Sequence, residues 1–168
     1  MKKIQTKDLT IIAMFIALTT VATMSIQIPI PATKGYINIG DTVLICAGLL
    51  LGRTAGGLAG SIGSALADLL SGYGYYAPIT FVVKGIEGFL AGYLKEKTKI
   101  NFVICGLIAG LVMALGYFIA EGTILYNFQA AAASLPANIM QGIGGSILAS
   151  ILYKAIEKTK VLEKINDN

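Results

Sequence analysis

Six apolar segments, parted by short breaks rich in glycine, proline or charge, take up most of this 168-residue chain and leave little of it fit to face water. They run over about 9–28, 41–52, 54–71, 77–94, 100–125 and 131–156. A bilayer-spanning helix needs roughly 20 apolar residues, and most of these segments approach that length. Only 13% of the residues are charged and mean hydropathy is +0.75, whereas a soluble domain carries about 25% charged residues. The 20 glycines against 4 prolines suit helices packed closely inside a membrane. The expected fold class is an all-α integral membrane protein, a bundle of six transmembrane helices in a single membrane domain over 1–168.

The breaks carry their own signals. Pro29-Ile-Pro31 through Gly40 reads as a loop ending in Asp41-Thr42, a plausible helix N-cap. Gly52-Arg53-Thr54 follows, then Ser71 to Tyr76 with Pro78 at the first turn of the next helix. Lys95 to Lys99 is the fourth break, and the fifth falls between Tyr126 and Pro136. The second segment is short: 12 residues reach roughly 18 Å, less than the ~30 Å hydrocarbon core. Segments two and three are therefore either one long helix or two short ones hinged at Arg53.

Charge placement favours two. With six crossings, Lys2, Lys3, Lys7, Arg53, Lys95, Lys97, Lys99, Lys154, Lys158, Lys160 and Lys164 share one side, and Lys34 stands on the other. The positive-inside rule then puts both termini in the cytoplasm. Five crossings would place the basic tail outside. The first segment is long enough to span and no small-residue cleavage site follows it, so it reads as a retained helix and not a signal peptide.

Composition removes several function classes. The net charge of +4 is spread around apolar runs and makes no nucleic-acid stripe. There is no histidine, which excludes Ser-His-Asp hydrolysis and the HExxH zinc site. Cys46 and Cys105 each sit in an apolar run and read as small buried residues, not a disulfide or metal framework. No GxxxxGK[ST] phosphate loop is present, and no internal repeat of the inverted transporter type stands out. Neither a cofactor nor a metal is expected, and the chain reads as a non-enzyme.

Ionisable residues inside spans suggest function by default. Here they are Asp68, Lys84, Glu87 and Glu121. Lys84 and Glu87, three apart, are neighbours on one helix face and could form an internal ion pair, with Asp68 joining it. In the six-helix topology Asp41, Asp68, Lys84, Glu121, Asn127, Asn138 and Gln141 all fall in the outer half, with Glu87 deepest. The outer loops add Tyr36, Asn38, Tyr73, Tyr75 and Tyr76. Such a pocket suits a small, partly polar, partly planar ligand. The tyrosines could equally form an interfacial aromatic belt or a lid. Ala13 and Ala17 make a small-xxx-small pair near the cytoplasmic end of helix one, a groove for another protein's helix or ordinary packing, as are the glycine pairs Gly48/Gly52, Gly52/Gly56, Gly56/Gly60, Gly88/Gly92 and Gly106/Gly110.

Taken in order, Ala13-x-x-x-Ala17, Tyr36-Ile-Asn-Ile-Gly-Asp41, Gly56-Gly-Leu-Ala-Gly60 with Ala67-Asp68, and Tyr76-Ala-Pro-Ile-Thr-Phe-Val-Val-Lys84-Gly-Ile-Glu87-Gly resemble the substrate-binding S components of energy-coupling-factor (ECF) vitamin transporters. The branch is that of riboflavin, pyridoxine or hydroxymethylpyrimidine uptake, and the resemblance covers nearly the whole chain. It implies a subunit of an ABC-type importer in the prokaryotic plasma membrane. Such a subunit takes a small vitamin or precursor at the outer face and docks, through Ala13 and Ala17, on a membrane scaffold subunit driven by two ATPase subunits. The bound subunit is expected to topple and carry its ligand inward. By position, the implied pocket includes Asn38, Tyr75, Lys84, Asn138 and Gln141. Glu87 would hold Lys84, and Glu87 and Glu121 join the substrate-binding candidates. Lys84 would offer charge or a hydrogen bond to an anionic or hydroxylated ligand. The absence of tryptophan argues against a site built on stacked tryptophans. The partners expected are thus the vitamin, the scaffold, the ATPases and membrane lipid, with no nucleic acid. The alternative is a stand-alone secondary transporter or channel using Glu87 or Glu121.

Overall fold

In a computed structural model, residues 6–159 are described; Lys2, Lys3, Lys160 and Lys164, which entered the charge argument, lie outside them. Six helical rods and one β-hairpin make up the described chain. Helix α1 is Thr6–Ser25, α2 is Gly40–Leu51, α3 covers 53–70, α4 is Ala77–Lys97, α5 is Phe102–Leu125 and α6 is Phe128–Lys158. Strands β1 (Gln27–Ile30) and β2 (Gly35–Asn38) pair antiparallel between α1 and α2.

Segments two and three are separate, antiparallel rods. A Cβ on Gly40, at the start of α2, would run into the Thr23 hydroxyl near the end of α1. At the far end of α3, Gln27 Nε2 donates to Ser71 Oγ at 3.1 Å, so α3 returns to the hairpin. Between them Gly52, at φ +90°, turns the chain in a conformation that L-residues rarely adopt. The two rods then touch backbone to backbone, since a Cβ on Gly56 would stand 2.6 Å from Gly48 Cα. Among the described residues four helices, α1, α4, α5 and α6, are long and apolar enough to cross a membrane; α2 is shorter at 12 residues.

Several boundaries differ from the sequence-based expectation. The first loop is not irregular: Pro29 lies within β1, opposite Tyr36, as a two-stranded edge permits. Asp41 does not cap α2. The cap position is Ile39, and Asn38 Oδ1 accepts from Gly40 N at 2.8 Å. The fifth break narrows to Tyr126–Asn127, with Asn127 Oδ1 accepting from Ala130 N at 3.0 Å as the cap of α6. Pro136 sits inside α6 without ending it. Two rods contain a π turn, Ala59–Gly63 in α3 and Glu121–Leu125 in α5; such turns are uncommon and gather at functional sites.

The bundle is apolar outside and mixed within. Large exposed side chains include Met14, Leu18 and Val21 on α1, Phe81, Val82 and Phe89 on α4, Leu115 and Ile119 on α5, and Met140, Ile147 and Ile151 on α6. Lipid accommodates such a surface where water would not. Away from the hairpin the core is apolar: Leu44, Ile45, Cys46 and Leu49 of α2 pack with Ala91, Cys105, Ala109, Ala149 and Tyr153. Glycine seams bring the backbones together there. A Cβ on Gly88 would collide with the Gly56 carbonyl, and one on Gly110 would stand 2.7 Å from the Gly142 carbonyl. Basic residues mark this end: Lys95 lies 5.7 Å over the Tyr153 ring, Lys154 lies 5.4 Å over Phe102, and Arg53 pairs with Glu96. Ala13 and Ala17 are exposed on α1. They are the eighth and twelfth of the 20 described residues of Thr6–Ser25.

Candidate functional site

Polar side chains that the apolar pattern cannot accommodate on the lipid face point inward near the hairpin, where burying them requires partners. Thr80, Lys84 and Glu87 recur at helical spacing along α4, as do Ser134, Asn138 and Gln141 along α6, and all six are buried. Tyr117 and Glu121, four apart on α5, are buried too. The π turn Ala59–Gly63 brings α3 against α4 so closely that a Cβ on Gly60 would meet the Lys84 carbonyl.

At the centre is an ionic cluster. Lys84 Nζ donates to Asp41 Oδ1 and to Glu87 Oε2, the latter at 3.0 Å. Gln141 Nε2 donates to the other Asp41 oxygen at 2.9 Å, and Gln141 Oε1 accepts from the backbone N–H of Asn38 at 2.8 Å. The cluster thus joins α2, α4, α6 and β2. The partner of Lys84 besides Glu87 is Asp41, and not Asp68 as the sequence suggested. Asp68 instead accepts from the Tyr36 hydroxyl, 2.5 Å from its Oδ1. Burial, then the nearby Asp68 carboxylate, pushes the Tyr36 phenol far above its ordinary value, so it remains a donor.

A second group ties the hairpin to α5. The Tyr76 hydroxyl donates to Glu121 Oε1 at 2.9 Å, with the Thr33 carbonyl 3.1 Å away as a further acceptor. Ser134 donates to the other Glu121 oxygen. Tyr75 donates to the Lys34 carbonyl at 2.9 Å, and the Tyr36 and Tyr73 rings meet at 4.6 Å. The tyrosines of 73–76 therefore grip the turn of the hairpin.

Between these groups lies a small cavity of about 30 Å³, room for about two water molecules. The hairpin lines it with Ile30, Gly35, Tyr36 and Asn38, and the helices with Thr23, Ser64, Asp68, Tyr76, Thr80, Lys84, Tyr117, Glu121, Asn138 and Gln141. Of the residues expected at the pocket, Asn38, Lys84, Glu121, Asn138 and Gln141 come together at its wall. Tyr75 does not; it is exposed and covers the hairpin turn from outside. Glu87 is fully buried behind Lys84 and does not line the cavity. Tyr117, Thr80 and Ser64 also line the cavity, and each stands four residues before Glu121, Lys84 and Asp68 respectively, a helical spacing that the sequence carries; Thr23 has no such signal.

The wall is incompletely paired. Thr23 Oγ1, Ser64 Oγ, Asp68 Oδ2 and Asn138 Nδ2 are buried without a hydrogen-bond partner, and all four residues line the cavity. Buried polar atoms are nearly always satisfied, so these four are open to hydrogen-bonding groups placed in that space.

Over residues 3–158 the sequence matches the family described as "ECF-type riboflavin transporter, S component". It is 39% identical over 141 residues to "Uncharacterized protein in gap 3'region" of Pyrococcus woesei, covering 83% of this chain and 94% of that one. It is 36% identical over 157 residues to "Thiamine precursor transporter HmpT" of Lactococcus lactis subsp. cremoris (strain MG1363), covering 93% and 91% of the two chains.

Proposed function

The chain belongs to the family of ECF-type riboflavin transporter S components, and from that premise we propose that it captures one small vitamin or vitamin precursor in the cavity under the hairpin and hands it inward when docked on an ATPase-driven scaffold subunit. As a member of that family it is a multi-pass transport protein of the prokaryotic plasma membrane and not an enzyme. The observation that carries the capture step is the cavity wall with its four unpartnered polar atoms. The ligand is a single vitamin of the riboflavin, pyridoxine or hydroxymethylpyrimidine class, the relative named as a thiamine precursor transporter favouring the last.

Orientation follows from charge. Arg53, Lys95 and Lys154 stand at the end away from the hairpin, and Lys34 lies in the hairpin turn. The positive-inside rule sets the hairpin outside and both termini in the cytoplasm. Ala13 and Ala17, exposed on α1, are the docking pair, where small side chains let a partner helix approach closely.

The purified chain, without ATP or partners, should bind one of riboflavin, pyridoxine or 4-amino-5-hydroxymethyl-2-methylpyrimidine at one to one by isothermal titration calorimetry. Reconstituted alone in liposomes it should carry no gradient-driven flux of that compound. Flux without partners would replace this proposal with a self-sufficient secondary transporter.

A further inference from the structure

A groove of about 570 Å³ opens on the outer surface between α3 and α4, apart from the cavity under the hairpin. Phe81, Val82, Ile86 and Phe89 line it from α4, each with about half of its surface uncovered. Gly57 and Gly85 let the two helices close beneath it, since a Cβ on Gly85 would stand 3.1 Å from Ser61 Cβ. Only Thr54 and Ser61 bring side-chain polar atoms to the lining, and Ser61 donates to the Gly57 carbonyl at 2.8 Å. From Phe81 to Phe89 the groove follows α4 for about 12 Å.

The end of this groove away from the hairpin meets a cation. The Arg53 guanidinium lies 6.0 Å over the Phe89 ring and 5.9 Å over Tyr93, and those two rings stack at 6.2 Å and 11°. Aromatic faces hold a guanidinium in place while leaving its edge free to donate. Glu96 accepts from the Arg53 backbone N–H at 2.9 Å and reaches the side chain at Nε, 3.7 Å away. The Nη edge takes part in no hydrogen bond among the described residues, and 41% of the side chain is exposed. Phe81, Gly85, Phe89, Tyr93 and Lys97 recur every fourth residue on α4, so Lys97 adds an exposed cation one turn beyond Tyr93.

We propose that this groove is a binding site for an anionic phospholipid, with one acyl chain lying between α3 and α4 and the phosphate meeting the Arg53 guanidinium beside Lys97. Charge and apolar length stand in the order that such a lipid presents them. A guanidinium fork matches a phosphate in a way that a lysine ammonium does not, and a net negative headgroup is drawn to basic residues at the membrane surface. The leaflet is the one at the end away from the hairpin, cytoplasmic in the orientation proposed above.

The test is native mass spectrometry of the full-length chain, released from micelles doped equally with phosphatidylglycerol and phosphatidylcholine of identical acyl chains. Phosphatidylglycerol should be retained at least about 5-fold more, and Arg53→Gln should lower that ratio at least about 3-fold. Gly57→Leu, which puts a side chain into the groove, should reduce retention of both lipids. Equal retention of the two lipids, or a ratio unchanged by Arg53→Gln, overturns the proposal. Release of bound phosphatidylglycerol by glycerol 1-phosphate, which has no acyl chains, also overturns it and leaves a site for free anions. A dimer without lipid would assign the groove to a second copy of the chain. If Gly57→Leu does not fold, the headgroup comparison and the exposed Arg53→Gln position decide. No arm depends on vitamin binding, so this proposal and the capture function fail separately.

Discussion

Gln141 and Asp41 stand a hundred residues apart in sequence and 2.9 Å apart in space, the amide of one donating to the carboxylate of the other. The same glutamine side chain accepts from the Asn38 backbone, so one residue of α6 fastens the ionic cluster to the hairpin. Each of its two bonds satisfies a group with little other recourse.

Gln141→Leu should therefore release both. Leaving the Asp41 oxygen and the Asn38 N–H without these partners costs about 1–3 kcal/mol each where burial is complete. The expected result is a lower melting temperature in detergent and faster hydrogen exchange at the Asn38 amide, with ligand binding weakened. Unaltered exchange at Asn38 would show that the hairpin is held by other means.

Lys84→Met should be among the most damaging single changes in the chain. Removing one partner of a buried ionic group costs roughly 3–5 kcal/mol because the opposite charges remain. Adding Asp41→Asn to Lys84→Met should recover part of that loss in a denaturant titration. Strict additivity of the two substitutions would mean that the Lys84–Asp41 contact contributes nothing specific.

The glycine seam makes a contrasting pair of predictions. Gly88→Leu places a side chain against the Gly56 carbonyl, a backbone atom that cannot yield cheaply, and overpacking of this kind costs about 1–3 kcal/mol or more. A Cβ on Gly144 meets nothing within 4 Å, so Gly144→Ala should leave the melting temperature within the small range expected of surface changes. Equal effects would contradict the packing of α3 on α4.

Ala13→Trp should separate binding from uptake. The site is exposed and remote from the cavity wall, so ligand affinity of the purified chain should be unchanged. Uptake in cells that supply the scaffold and ATPases should fall at least about 10-fold if α1 is the docking helix. Retained uptake would move the docking surface elsewhere.

The six helical rods, four of them long enough to span, were legible because apolar length is a direct consequence of a lipid environment. Lys84 and Glu87 were legible as a pair because three-residue spacing fixes them on one face. What sequence could not supply was the partner across the bundle. Asp41 sits where an N-cap is common, and nothing local says that its carboxylate turns inward to a lysine 43 residues later. Asp68 was drawn to the same lysine by depth, yet Tyr36 of the hairpin holds it. The hairpin itself was hidden by Pro29 and Pro31, which read as loop residues; Pro31 does lie in the turn, but Pro29 pairs within the two-stranded edge.

The two π turns have a consequence for how this chain can change in length. Each holds one residue more than the α-helical turn it replaces, and each borders the cavity, at Ser64 and at Glu121. Deleting that residue would let the turn close into ordinary α-helix with the flanking segments still in phase, whereas deleting a residue from an α-helical part of the same rod would swing one part against the other by about 100°. A one-residue deletion inside either π turn is thus absorbed locally, whereas one between Phe102 and Ala120 of α5 would turn part of the wall out of register, so paired deletions inside and outside the π turns probe the cavity more sharply than substitutions.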